Sequence, residues 1–494
     1  MKTTGRKSVA AAALVCALAA TSAQSQTAQS PYRFELGYPV AGTVDRVHDA
    51  SALRRAIEAY KFFYPTMSSE ALWQELQAGG AKVNERSLIL LSTPRQVFPT
   101  TANSDTPFAM GGFDLSMTGP LVVEMPAGLL IGFFNDAHMR WVHDLDRPGS
   151  DKGEGGKHLI LPPGFKGEVP PGYFIGRAEA NKVGFFIRSV PVGGDVAKAI
   201  KAFDGVRIYP LSAAGKRPVH QFFDMSRQTD RHMDFPLLAW EDNLEYWQQL
   251  KKVIDKETVI GEFRPMYGML ASVGIVKGQP FTPDARMKEI LTEAARTAVE
   301  EMRTVGYASR IPNRIYWPGR KWEFLIVRPT TSEYGGFGAP SFIDLDARDY
   351  YSFQAWAISP AMGRKTVGAG SMFLGAYRDS TGAFLDGGKT YKLTVPQPVP
   401  ADLFWSATIY DVDTRSQIAT DQDKATLSSL CEKLQANPDR SIELYFGPRA
   451  PVGKEAQWIK TIPGKGWFTY FRIYGPQAPA FDATWNLPDI ELVN

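Results

Sequence analysis

The sequence predicts a mainly β protein: two β-sandwich or jelly-roll-like domains joined by a helical connector. Three observations carry this. Aromatic residues make up 12% of the chain, and glycine and proline number 44 and 35, which suits short strands between tight turns. The apolar residues recur at helical spacing, then at strand spacing from Ser87, and the same alternation repeats once more downstream. The chain is also long enough to bury the cores of two or more domains.

The first residues read as a leader. Lys2, Arg6 and Lys7 precede an apolar run from Val9 to Ala20, and Ala20, Ser22 and Ala23 supply small residues for cleavage. The pattern is that of a signal peptide over residues 1–26, and the apolar run is too short to cross a bilayer. A periplasmic or secreted protein is expected, with no membrane span after cleavage. Of the two cysteines only Cys431 would remain, so no internal disulfide can form. The net charge of +3 is mixed along the chain with no basic stripe, which argues against a nucleic-acid partner.

Ser51 to Gly79 has helical spacing, with a break expected near Pro65. Short strand-like segments follow: Ser87–Leu91, Leu121–Met125, Leu129–Asn135, Lys157–Leu161, Gly172–Gly176 and Val183–Val190. They place an N-terminal β-rich domain at residues 45–215. Amphipathic helices over Asn243–Ile254 and Asp284–Arg303 mark a connector at 225–310, the second capped by Thr282 with Pro283 at its first position. From Asn313 to the end the spacing is again that of strands, including Tyr391–Val395, Phe404–Tyr410, Ser441–Phe446 and Trp467–Tyr474. Residues 313–494 therefore read as a second sandwich.

Several motifs in this last region carry a family resemblance. They are the run Gly370-Ser-Met-Phe-Leu-Gly-Ala-Tyr-Arg-Asp, then Leu385-Asp-Gly-Gly-Lys-Thr-Tyr-Lys-Leu, then Leu444-Tyr-Phe-Gly-Pro and Gly464-Lys-Gly-Trp-Phe. Together they resemble domain of unknown function 1214. Asn103-Ser-Asp-Thr, Gly119-Pro-Leu-Val-Val-Glu-Met-Pro and Leu159 to Pro163 are similar to its usual partner, domain of unknown function 1254. The resemblance implies exported, two-domain and often oligomeric proteins, and it brings no activity with it.

Four groups of residues are candidates for chemistry. Asn103, Asp105 and Thr106 sit in a turn before a strand, where they can bind a polyol or a cation, or cap the strand end as an Asx-turn. His138, His143, Asp144, Asp146, Asp151, Glu154 and His158 lie within one short stretch. Imidazole and carboxylate suit a divalent metal, with His138, His143, Asp144 and His158 as the ligand set, although no recognised ligand spacing occurs. Arg378, Asp379, Asp411 and Arg415 flank strands, as an acid–base site on a sugar or as turn-locking pairs. Trp141 and Trp356, with Tyr350, Tyr351 and Phe353, offer aromatic faces for a ligand or a core.

No Gly-x-Ser-x-Gly elbow, phosphate-binding loop or His-Glu-x-x-His occurs. The C-terminal region has no histidine, so a Ser-His-Asp site confined to it is excluded. No cofactor is established, and no catalytic residue is assigned. The leading expectation is binding of a carbohydrate-like or other polar organic ligand at the domain interface. The alternatives are a hydrolase, with or without a metal, and a structural homo-oligomer.

Overall fold

The computed structural model describes residues 30–94, 101–216, 220–228, 235–327, 337–339, 341–363, 366–368, 370–430 and 434–493. The expected signal peptide and Cys431 lie outside the described residues. Two compact units are found, one ending at Ser51 and one starting at Ala52. In the first, Phe34–Glu35 pairs with Tyr38–Pro39. The helix Ala41–Ala78 begins there and runs into the second.

That helix starts well before Ser51 and continues through Pro65, where a break was expected. Proline removes one backbone donor. The loss is outweighed by packing, because Tyr60, Phe63, Tyr64, Met67 and Ala71 on either side of it are all buried. The helices Leu244–Lys256, Arg264–Ser272 and Ala285–Tyr307 join the same core. Asn243 caps the first by accepting from Glu245 N at 2.9 Å. The last is capped by Asp284 and not by Thr282: Asp284 is extended and its carboxylate accepts from Met287 N at 2.8 Å. Among the described residues no helix is long and apolar enough to cross a membrane.

Two sheets form from residues 86–224. One has the strand order Gln221–Asp224, Arg86–Leu90, Phe108–Asp114, Lys182–Ser189, Leu130–Asp136, Trp141–Asp146. The other has the order Arg207–Pro210, Leu121–Met125, Gly156–Leu161, Phe174–Arg177. One apolar cluster joins them, with Phe113, Val183, Phe185 and Ile187 from the first and Leu121, Val123 and Ile160 from the second. Because side chains alternate along a strand, Phe108, Met110 and Phe186 point the other way and join the helical core.

Here glycine has a specific task. Gly112 and Gly184 are register partners on adjacent strands. A Cβ on Gly112 would meet the Trp73 ring at 1.7 Å, and one on Gly184 would meet it at 2.7 Å. The two glycines form a slot in the sheet that seats this indole.

The C-terminal part repeats the scheme. Glu323–Phe324, Ser371–Ala376, Trp467–Pro476, Ala401–Asp411 and Thr426–Ser428 form one sheet, and Trp458–Lys460, Ile442–Gly447, Tyr391–Val395 and Glu491–Leu492 another. A second cluster joins them through Leu374, Trp405, Phe471, Leu393 and Phe446. On the opposite face of the first sheet, Tyr410, Phe468 and Tyr470 pack with Tyr350 and Tyr351.

The aromatic stretch over Tyr350–Phe353 is not a strand but part of the helix Leu345–Gln354. Asp344 caps it by accepting from Ala347 N at 3.1 Å. Helices hold about as much of the chain as strands. The mainly β expectation thus holds in part: the described residues form several sheets, none of them closed into a barrel, beside as much helix.

Candidate functional site

The outer faces of the two large sheets line a cavity. Alternation puts Phe108, Phe186 and Arg188 on its wall from one sheet and Phe373, Tyr470 and Arg472 from the other. The segment after the Leu345–Gln354 helix adds Ala355, Trp356 and Ala357. That segment is pinned to the first sheet by Asn135, whose Nδ2 donates to Ile358 O at 2.7 Å while its Oδ1 accepts from Ile358 N at 3.1 Å. Thr101, Ala102 and Asn103 complete the wall.

The two arginines set its electrostatics. Arg188 Nη1 donates to the Tyr474 hydroxyl at 2.8 Å, and Asn103 Nδ2 donates to the same oxygen at 2.9 Å. The Arg188 guanidinium lies over Phe108 at 4.9 Å and Tyr474 at 5.1 Å. Arg472 is 3% exposed and Nη2 donates to Thr101 O at 2.5 Å. Arg188 Nε, Arg472 Nε and Nη1, and Trp356 Nε1 are buried without a partner.

Unpaired buried donors of this kind cost free energy until an acceptor meets them. Burial pushes the Arg188 pKa down. It also pushes the Asp105 carboxyl up, against the pull of both guanidiniums. Two guanidiniums therefore face one carboxyl, leaving an excess of positive charge beside an aromatic wall.

The sequence-derived candidates divide. Asn103 and Trp356 line the cavity, and Asp105 stands close enough to feel both arginines. The Asn103 carbonyl also forms the Asx-turn, accepting from Asp105 N at 3.0 Å and from Thr106 N and Oγ1 at 3.2 Å. Thr106 is thus spent locally.

Arg378 and Asp379 form a turn away from the cavity: Arg378 Nη1 donates to Gly382 O at 2.9 Å, and Asp379 Oδ1 accepts from Thr381 Oγ1 at 2.6 Å. Asp411 and Arg415 form no ion pair but share a locked turn: Arg415 N donates to Asp411 O at 2.9 Å, and Asp411 Oδ1 accepts from Asp413 N at 2.7 Å. Lys465 holds Asp411 at 2.7 Å, while Arg415 Nη2 donates to Glu241 at 2.9 Å. Trp141 Nε1 donates to Asp144 at 2.9 Å.

The proposed metal ligands also do not converge. His138 Nδ1 lies 2.9 Å from Thr66 Oγ1 in the helical core. Asp144 accepts from Ser359 Oγ at 2.6 Å as well as from Trp141. His143 Nε2 and His158 Nδ1 bond each other at 2.9 Å, and His158 Nε2 lies 3.5 Å from Asp151. An ion would need each nitrogen at about 2 Å, but these two face each other directly. Among the described residues no group of three or more His, Cys, Asp or Glu is arranged to hold a metal. Burial lowers the His143 pKa to about 4 and that of His138 to about 3.

Part of this stretch is strand: Asp144 and Asp146 lie at the end of the strand Trp141–Asp146 and are buried. Asp146 Oδ1 accepts from Arg147 N at 2.6 Å, Oδ2 has no partner, and burial raises its pKa to about 7. A carboxyl whose folded pKa exceeds its unfolded value favours the fold at low pH and loses that benefit as pH rises. Asp146→Asn is therefore expected to stabilise the protein by an amount that grows between about pH 4 and pH 7, then levels at roughly 1–4 kcal/mol. Urea midpoints across this range check it, and a gain that is constant with pH would contradict it.

Sequence reasoning missed Arg188 and Arg472. Each is the lone charge in a strand of otherwise apolar, aromatic or small residues, Val183–Ser189 and Trp467–Tyr474. A cation set among apolar and aromatic residues of a strand was the available signal.

Residues 84–210 match the family described as a protein of unknown function, DUF1254, and residues 370–478 match the one described as a protein of unknown function, DUF1214. No curated protein matches the chain. The solved structure of the VPA0106 protein from Vibrio parahaemolyticus is similar over 90% of this chain and 100% of its own, with 18% identity and a TM-score of 0.55. At that identity the likeness speaks for the fold alone. An uncharacterized protein from Burkholderia cenocepacia aligns over 92% of this chain and 97% of its own, with 10% identity and a TM-score of 0.39, too low to carry an argument. The chain thus carries a DUF1254 region followed by a DUF1214 region, in the order that its sequence motifs imply.

Proposed function

We propose that the protein binds a small organic anion, a carboxylate with an apolar body, in the cavity between Arg188 and Arg472. The observation that carries this reading is the set of buried, unpartnered guanidinium nitrogens on those two residues. Arginine forks match a carboxylate in geometry and charge. Phe108, Phe186, Phe373 and Trp356 offer the anion's body an apolar surface. Sugars suit this wall less well, since it is rich in free donors and poor in free acceptors.

Around this site we take each pair of sheets to be a β-sandwich, the C-terminal one of jelly-roll type, with the helices of residues 225–310 between them. The basic and apolar N-terminal leader supports export to a periplasm or beyond.

Calorimetric titration with benzoate and with benzamide tests the reading. Benzoate is expected to bind and the neutral amide to bind far more weakly. Arg472→Gln is expected to weaken benzoate by about thirtyfold or more. Equal binding of acid and amide, or an unchanged affinity in the variant, overturns it.

A further inference from the structure

We infer that the ligand is an elongated amphipathic monocarboxylate whose tail lies in a second apolar lobe beyond Arg188. This rests on the anion-binding reading above and narrows it to a substrate class.

A second hollow shares Phe133, Phe186, Arg188, Met362 and Phe373 with the first. The two hollows therefore adjoin along these five residues. Ile131, Pro148 and Ala361 line the second alone. Its polar Ser359 is already engaged: the hydroxyl donates to Asp144 at 2.6 Å and accepts from Ala361 N at 3.0 Å.

The charge is arranged to match. Arg472 lines only the first lobe, whereas Arg188 stands at the junction of both. Arg188 Nε and Arg472 Nε and Nη1 are the donors left open. A carboxylate head meets them in the first lobe, near the junction. Across that junction the walls are chiefly hydrocarbon, with the stacked Phe133 and Phe186 rings, 5.5 Å apart, running along both lobes. A short or compact acid would satisfy the arginines and leave this second surface uncovered. A linear acid covers it, and each buried methylene adds to the affinity. No bond is made or broken in this proposal.

The test is a series of straight-chain acids (butanoate, hexanoate, octanoate and decanoate) titrated into the full chain by calorimetry. Affinity is expected to rise roughly three- to fourfold per added methylene until the second lobe is full. Ala361→Trp and, independently, Ile131→Trp fill that lobe only. In each the ratio of octanoate to butanoate affinity is expected to fall towards one.

A flat series in the unaltered protein, with butanoate binding still lost in Arg472→Gln, overturns the second lobe and leaves the anion site standing. A length dependence that persists in both tryptophan variants also overturns it, since the tail would then lie elsewhere. If no acid of any length binds, both readings fail.

Discussion

Arg415→Met is expected to destabilise the protein by about 3–5 kcal/mol, read as a fall in the urea midpoint with an unchanged slope. The guanidinium is fully buried, donates to Glu241 Oε2 at 2.9 Å and sits 4.4 Å over the Phe353 ring. Burial alone would work against its charge, but Glu241 outweighs this and holds its pKa up. Methionine keeps much of the apolar stem and removes the cation. Glu241 would retain the Tyr64 hydroxyl at 2.9 Å as a remaining partner for a largely desolvated carboxylate. Most of the cost should therefore come from the stranded anion. Arg415→Met combined with Glu241→Leu is expected to recover a large part of it. A double variant no more stable than the single one would show that the loss comes from packing instead.

The second large effect concerns the indole slot. Gly112→Ala puts a methyl group 1.7 Å from the Trp73 ring, which the ring cannot meet by rotating a flexible end. A cost of about 3 kcal/mol is expected, at the upper end for an overpacked core. Trp73→Ala on its own should cost about 3–5 kcal/mol through the cavity it leaves. The pair should be strongly non-additive, because the added methyl meets empty space once the indole is gone. Thermal or urea unfolding of the four proteins in this cycle measures the coupling. Simple additivity would mean that the strands move apart at little cost.

How far these features could be read in advance depended on whether the physics was local. The strand Leu121–Met125 is found where the sequence predicts it, and Lys182–Ser189 within a residue, because apolar and β-branched runs bounded by turn residues are local signals. The Asn103 turn was legible for the same reason. The helix Leu345–Gln354 was not, because Tyr350, Tyr351 and Phe353 favour strands while tertiary burial on all sides decides otherwise. Helix through Pro65 is another case in which packing overrides a local breaker.

The site itself was only half legible. Asn103 and Trp356 line it, but its two charges lie nearly three hundred positions apart in strands that read as pure core. The histidines misled for the opposite reason. Closeness in sequence suggested a shared ligand set, yet His138 turns into the helical core while His143 and His158 satisfy each other.

The way the cavity is assembled bears on how the chain matures. Its wall needs Asn103 and Arg188 from early in the chain and Arg472 from near the end. Two stretches of backbone far apart in sequence must meet before the pocket exists at all, and such non-local closure is slow to form. Until the last sheet is in place the Tyr474 hydroxyl, which Asn103 and Arg188 both engage, is missing, and those two side chains have no common anchor. Occupancy would then act as a clasp on the finished molecule: an anion that binds only the completed wall draws the population towards it by mass action. The empty chain, with those guanidinium nitrogens still unpartnered, would be the form that opens first under proteolysis.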